Sequence, residues 1–261
     1  MDKKIGCSSC SKESYDIIPT VRILGKLDEL FSRNDLDAVG RLLDYWVKEA
    51  KNLKDERGLL EMLNEEIGYF RRTGECEKGI KAVIDAFTLI EKLDAGEHLS
   101  SATVYLNGAT TMKAFGKARE AMEYYEKARK IYEKNLEPGD YRLAAYHNNI
   151  SSAYRELGEY ENAEKACFSA LGILERSEGY LGERAVTHVN LAHIYYDIDP
   201  CDERVYEHMD KAWELLSSKE IPHDGNYAFI ASKCYPSFGF FGYFEYEKSL
   251  RELSEKMYEG N

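Results

Sequence analysis

At 261 residues, with 44% hydrophobic and 31% charged side chains, the chain is long enough to bury a large core. Its formal charge of −12 argues against nucleic acid as a partner, because phosphate binding needs a concentrated basic face. No apolar run approaches the roughly 20 residues that a membrane helix needs, and Met1 to Cys7 lacks the apolar segment of a secretory signal. A cytoplasmic protein with no membrane partner is the expectation.

In chain order, residues 1–14 are polar and are expected to form a disordered tail. Its Cys7 and Cys10 would need two further ligands to hold a metal, and the next candidates are as distant as Cys76 and His98. Cys76, Cys167, Cys201 and Cys234 fall at unrelated phases, which fits reduced thiols rather than a disulfide framework. Residues 15–261 read as one all-α solenoid of about six antiparallel helix pairs, at 16–53, 56–93, 98–136, 140–177, 182–218 and 224–259. The first pair opens with Pro19 near its first turn and with Val21, Leu24 and Leu27 on one side. The breaks between later pairs are rich in Gly, Pro and Asp, and Asp140 and Asp224 stand where helix N-caps are needed. In the last pair, Pro236 is expected to kink or shorten the first helix, within a segment crowded with aromatic residues from Tyr227 to Tyr246.

A fixed period ties these pairs together. Gly74, Gly116, Gly158, Pro200 and Gly242 recur at a 42-residue step, and Asn34 fits one unit earlier at a 40-residue step. A residue that accepts positive φ lets one helix stop and the next start antiparallel; proline is a different breaker at the same place. Twelve residues beyond each turn stand Ala86, Ala128, Ala170, Ala212 and Ser254, all small. Four residues before it stand Phe70, Met112, Tyr154, Tyr196 and Phe238, all large. Small and large columns at locked phases let stacked helices interdigitate.

The run from Ala145 through Tyr154, Gly158, Tyr160 and Ala163 to Ala170 resembles a tetratricopeptide repeat, with its Gly-x-Tyr-x-x-Ala turn and later alanine. The 42-residue length and the pair Asn148 and Asn149 are similar to the long-helix variety of kinesin light chains and many bacterial proteins. The likeness is fullest over Tyr141 to Arg176, followed by Ser101 to Asn135. Elsewhere Cys76, Ala118, Asp202 and Phe244 replace the turn tyrosine. The resemblance implies a right-handed superhelix whose first helices line a concave face that binds protein or peptide.

Two columns point towards that face. Three residues before the turn stand Arg71, Lys113, Arg155, Asp197 and Gly239, and ten before it stand Asn64, Leu106, Asn148, Asn190 and Ser232. Cations in register would select an acidic peptide side chain or terminal carboxylate, and a carboxamide can serve both polar groups of an extended backbone. The expected peptide-binding residues are therefore Asn64, Arg71, Lys113, Asn148, Arg155 and Asn190. The competing reading pairs those cations with acids such as Glu66 or Glu156 and uses the asparagines between layers.

Two further functions stay open: a regulatory sensor that changes shape on binding a small signalling peptide or ligand, and a homo-oligomeric scaffold joined through Phe240, Phe241, Tyr243 and Phe244. Catalysis, a cofactor or a metal is not expected. His188 and His193 miss the i, i+4 zinc spacing, and no phosphate-binding loop or nucleophile elbow is present.

Overall fold

The structure, a computed structural model, describes residues 17–176 and 179–259. Residues 1–14, with Cys7 and Cys10, lie outside the described residues. Among those described, twelve helices run in pairs: α1 (Thr20–Ser32) with α2 (Leu36–Leu53), α3 (Glu56–Thr73) with α4 (Cys76–Lys92), and α5 (Leu99–Ala114) with α6 (Ala118–Asn135). They continue as α7 (Tyr141–Glu156) with α8 (Tyr160–Leu174), α9 (Leu181–Ile198) with α10 (Arg204–Leu216), and α11 (Gly225–Phe240) with α12 (Phe244–Glu259).

The turn column works as its chemistry requires. Asn34, Gly74, Gly116, Gly158 and Gly242 have φ of 55°, 75°, 77°, 75° and 86°. That left-handed step aims the next backbone N–H back along the finished helix. Thus Glu75, Lys117, Glu159 and Tyr243 donate to the carbonyls of Phe70, Met112, Tyr154 and Phe238 at 2.8–3.0 Å. The large column therefore also supplies the carbonyl that closes each helix. At Pro200 the device changes: Asp199 is extended, its Oδ1 accepts from the Cys201 N–H at 2.9 Å, and Asp202 Oδ1 accepts from the Arg204 N–H at 2.9 Å. Aspartate side chains thus hold a turn that proline denies to the glycine mode.

The small column is the core of the stack, since Ala86, Ala128, Ala170 and Ala212 have no exposed surface and Ser254 has 3%. Asp140 caps α7 through the Arg142 N–H, and Asp224 caps α11 through the Tyr227 N–H, both at 2.9 Å. Asp55 does double duty: Oδ1 accepts from the Gly58 N–H at 2.9 Å and Oδ2 from the Ile18 N–H at 3.0 Å, which fixes the residues just before α1 to the start of α3.

Two local expectations need correction. Val21 is 85% exposed, and Ile23 joins Leu27 in the core instead, because α1 turns that face towards α2. Pro236 does not shorten α11, which continues to Phe240. The ring stands on an exposed side of the helix, where the Ser232 carbonyl that loses its donor can meet water.

Successive first helices touch in a line, α3 with α5, α5 with α7, α7 with α9 and α9 with α11. The line bends far enough for α11 to reach α1. A Cβ on Gly225 would lie 2.8 Å from the Ser32 Cβ, so only glycine fits this seam without a shift. The first helices thus wall a hollow whose two ends meet.

Candidate functional site in the hollow

Arg71 on α3 reaches across to α5, where Nη1 donates to the Asn107 carbonyl at 3.3 Å and to Thr111 Oγ1 at 3.1 Å. Asn107 Nδ2 in turn donates to Asn64 Oδ1 at 2.9 Å, so Asn64 is used between layers. Lys113 is half-buried and has no ion pair among the described residues. Burial lowers its pKa, Glu156 opposes that shift, and Arg71 and Arg155 add to it by repulsion. Arg155 is committed elsewhere: Nε and Nη2 meet the two oxygens of Asp197 at 2.6 and 3.3 Å. The acid that holds it is the next member of its own column rather than Glu66 or Glu156. Asn148 Oδ1 is buried with no hydrogen-bond partner among the described residues, and Asn190 is half-buried without a side-chain hydrogen bond.

Glu66 faces the other way, towards Lys51, Asp44 and Asp85, and burial pushes its carboxyl from 4.5 up to about 7. The folded state therefore binds a proton that the unfolded chain releases near 4.5, and folding is penalised as pH rises through that window. Glu66→Gln is expected to raise unfolding free energy by roughly 1–2 kcal/mol at pH 8 and to add nothing at pH 4. Equal gains in urea melts at both pH values would contradict it.

Sequence periodicity does not reveal what the seam adds. Lys233 of α11 stands nine residues before its turn, the phase occupied by Glu65 and Asn107 in earlier units. Its ammonium lies 4.0 Å from the Phe229 ring centroid. It keeps surface open to the hollow while protein encloses its other sides, and that burial, with repulsion from Arg71, Arg72 and Lys113, pushes it down to about 8. Arg72 joins both ends of the stack, with its guanidinium 5.6 Å from the Phe31 ring of α1 and 5.3 Å from the Phe229 ring of α11. Its Nη2 donates to Asn34 Oδ1 at 2.7 Å.

Away from the hollow, His188 and His208 place their Nδ1 atoms 2.9 Å apart beside Tyr195, whose hydroxyl donates to Glu164 at 2.5 Å. One Nδ1 must donate and the other accept, so at most one imidazole of the pair presents an Nδ1 proton there. Among the described residues no group of three His, Cys, Asp or Glu side chains could hold a metal ion. The C-terminal aromatics divide: Phe241 and Tyr243 pack against the core, whereas Phe240 and Phe244 are 58% and 68% exposed.

Residues 59–134, covering α3 to α6, match the tetratricopeptide repeat family. That stretch of the chain carries tetratricopeptide repeats. Among solved structures the chain is similar to a kinesin light chain of Podosopora anserina with nearly identical TPR-like repeats, at 17% identity over 75% of this chain and 93% of that one, with a TM-score of 0.59. A variant of that protein gives a TM-score of 0.61 at 17% identity, over 76% of this chain and 94% of that one. BtubC (BKLC) from P. vanneervenii follows at 16% identity over 92% of this chain and 91% of that one, with a TM-score of 0.51. At such identities the likeness establishes the fold alone, a stack of antiparallel helix pairs. No helix among the described residues is long and apolar enough to cross a membrane.

Proposed function

We propose that this chain is a non-catalytic binding module whose hollow holds an acidic peptide segment. The observation that carries the reading is the pair Arg71 and Lys113, which line one wall with no carboxylate in ion-pair reach among the described residues. Burial and mutual repulsion both raise the free energy of the Lys113 cation, and an arriving carboxylate would relieve both. Asn148 Oδ1 is buried and unpaired among the described residues, so it meets a peptide N–H only once its side chain turns towards the hollow. Asn190 sits one unit further along at the same phase, while Arg155 and Asn64 shape the wall through Asp197 and Asn107.

An array of random decapeptides is expected to show retention of Asp- and Glu-rich sequences, weakened at least tenfold by Lys113→Glu with unchanged far-ultraviolet dichroism. Retention that ignores peptide charge, or that survives the substitution, would overturn the reading. A shape-changing sensor is the second reading, and the contact of α1 with α11 favours it. A ligand that touches both ends of the line can bias how tightly they meet.

A further inference from the structure

Between α1, α3 and α11 lies a cavity of about 750 Å³, lined on one wall by Arg71 and Arg72, on the facing wall by Lys233, and at its apolar side by Phe31 and Phe229. Its size falls in the range of small-ligand sites, roughly 300–1,000 Å³. We propose that this cavity at the seam is an anion seat that takes a doubly charged phosphate ester, held from both walls by Arg71, Arg72 and Lys233. The inference rests on the hollow being a ligand site and names the anionic group it accepts.

The donors are available. Arg71 uses only Nη1 in protein hydrogen bonds, so Nε and Nη2 remain for a ligand among the described residues. Lys233 makes no ion pair among them; its one close partner is the face of Phe229. Two acids also border the cavity, Asp28 and Glu65. Burial raises the Glu65 pKa, and Asp28 and Glu61 add to that rise against the Asn64 hydrogen bond. Three basic side chains, Arg71, Arg72 and Lys233, thus face two acidic ones, Asp28 and Glu65, around one cavity. An anion entering there meets more basic than acidic groups, and one with charged oxygens on several sides can meet both walls at once.

Shape agrees with charge. A carboxylate is planar and is saturated by one guanidinium edge, while the three outer oxygens of a phosphate ester point in tetrahedral directions and can meet two facing walls. The fourth oxygen carries the organic group, and the rings of Phe31 and Phe229 give that group an apolar rest. Because the donors come from α3 and from α11, the bound anion would also draw together the two ends of the stack.

Calorimetric titration of the full chain with phenyl phosphate tests this, with inorganic phosphate and benzoate as companion probes. Phenyl phosphate is expected to bind at one saturable site, with benzoate, the singly charged analogue, at least tenfold weaker. Lys233→Gln should weaken phenyl phosphate at least tenfold without changing helical dichroism, while Lys48→Gln, at an exposed and distant ion pair with Asp44, leaves it unchanged. Lack of saturable binding, parity of benzoate with phenyl phosphate, or indifference to Lys233→Gln would each overturn the proposal. A phosphotyrosine peptide binding more tightly than phenyl phosphate would support it with a peptide side chain as the source; the reverse order would support it with a free ester. Capture of an unphosphorylated acidic peptide in a Lys113-dependent way, without phenyl phosphate binding, would overturn this proposal alone. Failure of both probes would remove the acidic-peptide reading with it.

Discussion

Phe238→Ala is expected to lower the unfolding free energy by about 3–5 kcal/mol, the usual cost of removing a fully buried phenyl ring. Phe238 has no exposed surface and sits 6.1 Å from Trp213, 6.0 Å from Tyr243 and 6.2 Å from Tyr246 between ring centroids. Its removal would leave a void under α12 and loosen the packing that positions α11. Phe240, two residues later, is 58% exposed, and Phe240→Ala is expected to change stability by less than about 0.5 kcal/mol. Chemical denaturation of the two variants decides the matter, and similar losses for both would contradict the division of the aromatic segment into core and surface. The Phe240→Ala variant also addresses the oligomer reading, since a mass that falls to the monomer on substitution would support it.

The second large effect is acid sensitivity. Burial pushes His188 from 6.5 to about 4, with repulsion from His208, Lys211 and Arg184 adding to it. Burial likewise pushes His193 from 6.5 to about 4, with Arg155 adding and Asp197 opposing. In that window the unfolded chain binds protons that the folded chain refuses, so stability is whole above 6.5 and is lost as pH falls towards 4. The combined loss is expected to be roughly 2–4 kcal/mol, since each tenfold change in proton affinity is worth about 1.4 kcal/mol and partial solvent access discounts the sum. His188→Gln removes one of the two titrations and should flatten the slope of stability between pH 6.5 and 4 relative to the natural chain. An identical slope for both proteins would contradict the assignment. Glu66 works in the opposite direction over pH 4.5 to 7, so the two substitutions must tilt the profile in opposite senses.

The period was legible because its two strictest demands are local. A helix that must reverse within three residues needs positive φ, and only a few residue types supply it, which is why Gly74, Gly116, Gly158, Gly242 and Asn34 stand out as letters. A helix that must lie against two neighbours needs a residue without bulk, and Ala86 to Ala212 are equally plain. The pairing of Arg155 with Asp197 could also have been read, since residues one period apart face each other across adjacent first helices. Like charges at Arg71 and Lys113 repel; the one junction of opposite charge closes.

Closure of the hollow was not legible, because it accumulates from small rotations between successive pairs, and no single residue encodes their sum. Gly225 records it only indirectly, as a glycine at the first position of α11 opposite Ser32. Lys233 shares its phase with Glu65 and Asn107, but Pro236 marks that unit as an interrupted helix, and what Lys233 adds to the hollow depends on the placement of α11 beside α1 and α3. The letters of α1 do not separate Val21 from Ile23, because the helix has an apolar residue at most turns of either face and only packing on α2 decides which side turns inward.

Bending of the stack until its two ends meet turns a row of cations into a seat shared by α3 and α11. It is tested most directly by Ser32→Cys combined with Gly225→Cys, in a background whose other cysteines are replaced by alanine. The two Cβ positions would lie 2.8 Å apart, so a separation of about 1 Å at the seam brings them to the roughly 3.8 Å of a disulfide, and mild oxidation should form an intramolecular bridge in most molecules, read as the loss of two hydrogens in the intact mass and as blocked thiol labelling. Thiols that stay fully reactive under the same oxidation, in a chain that keeps its helical dichroism, would show the ends apart and contradict the account.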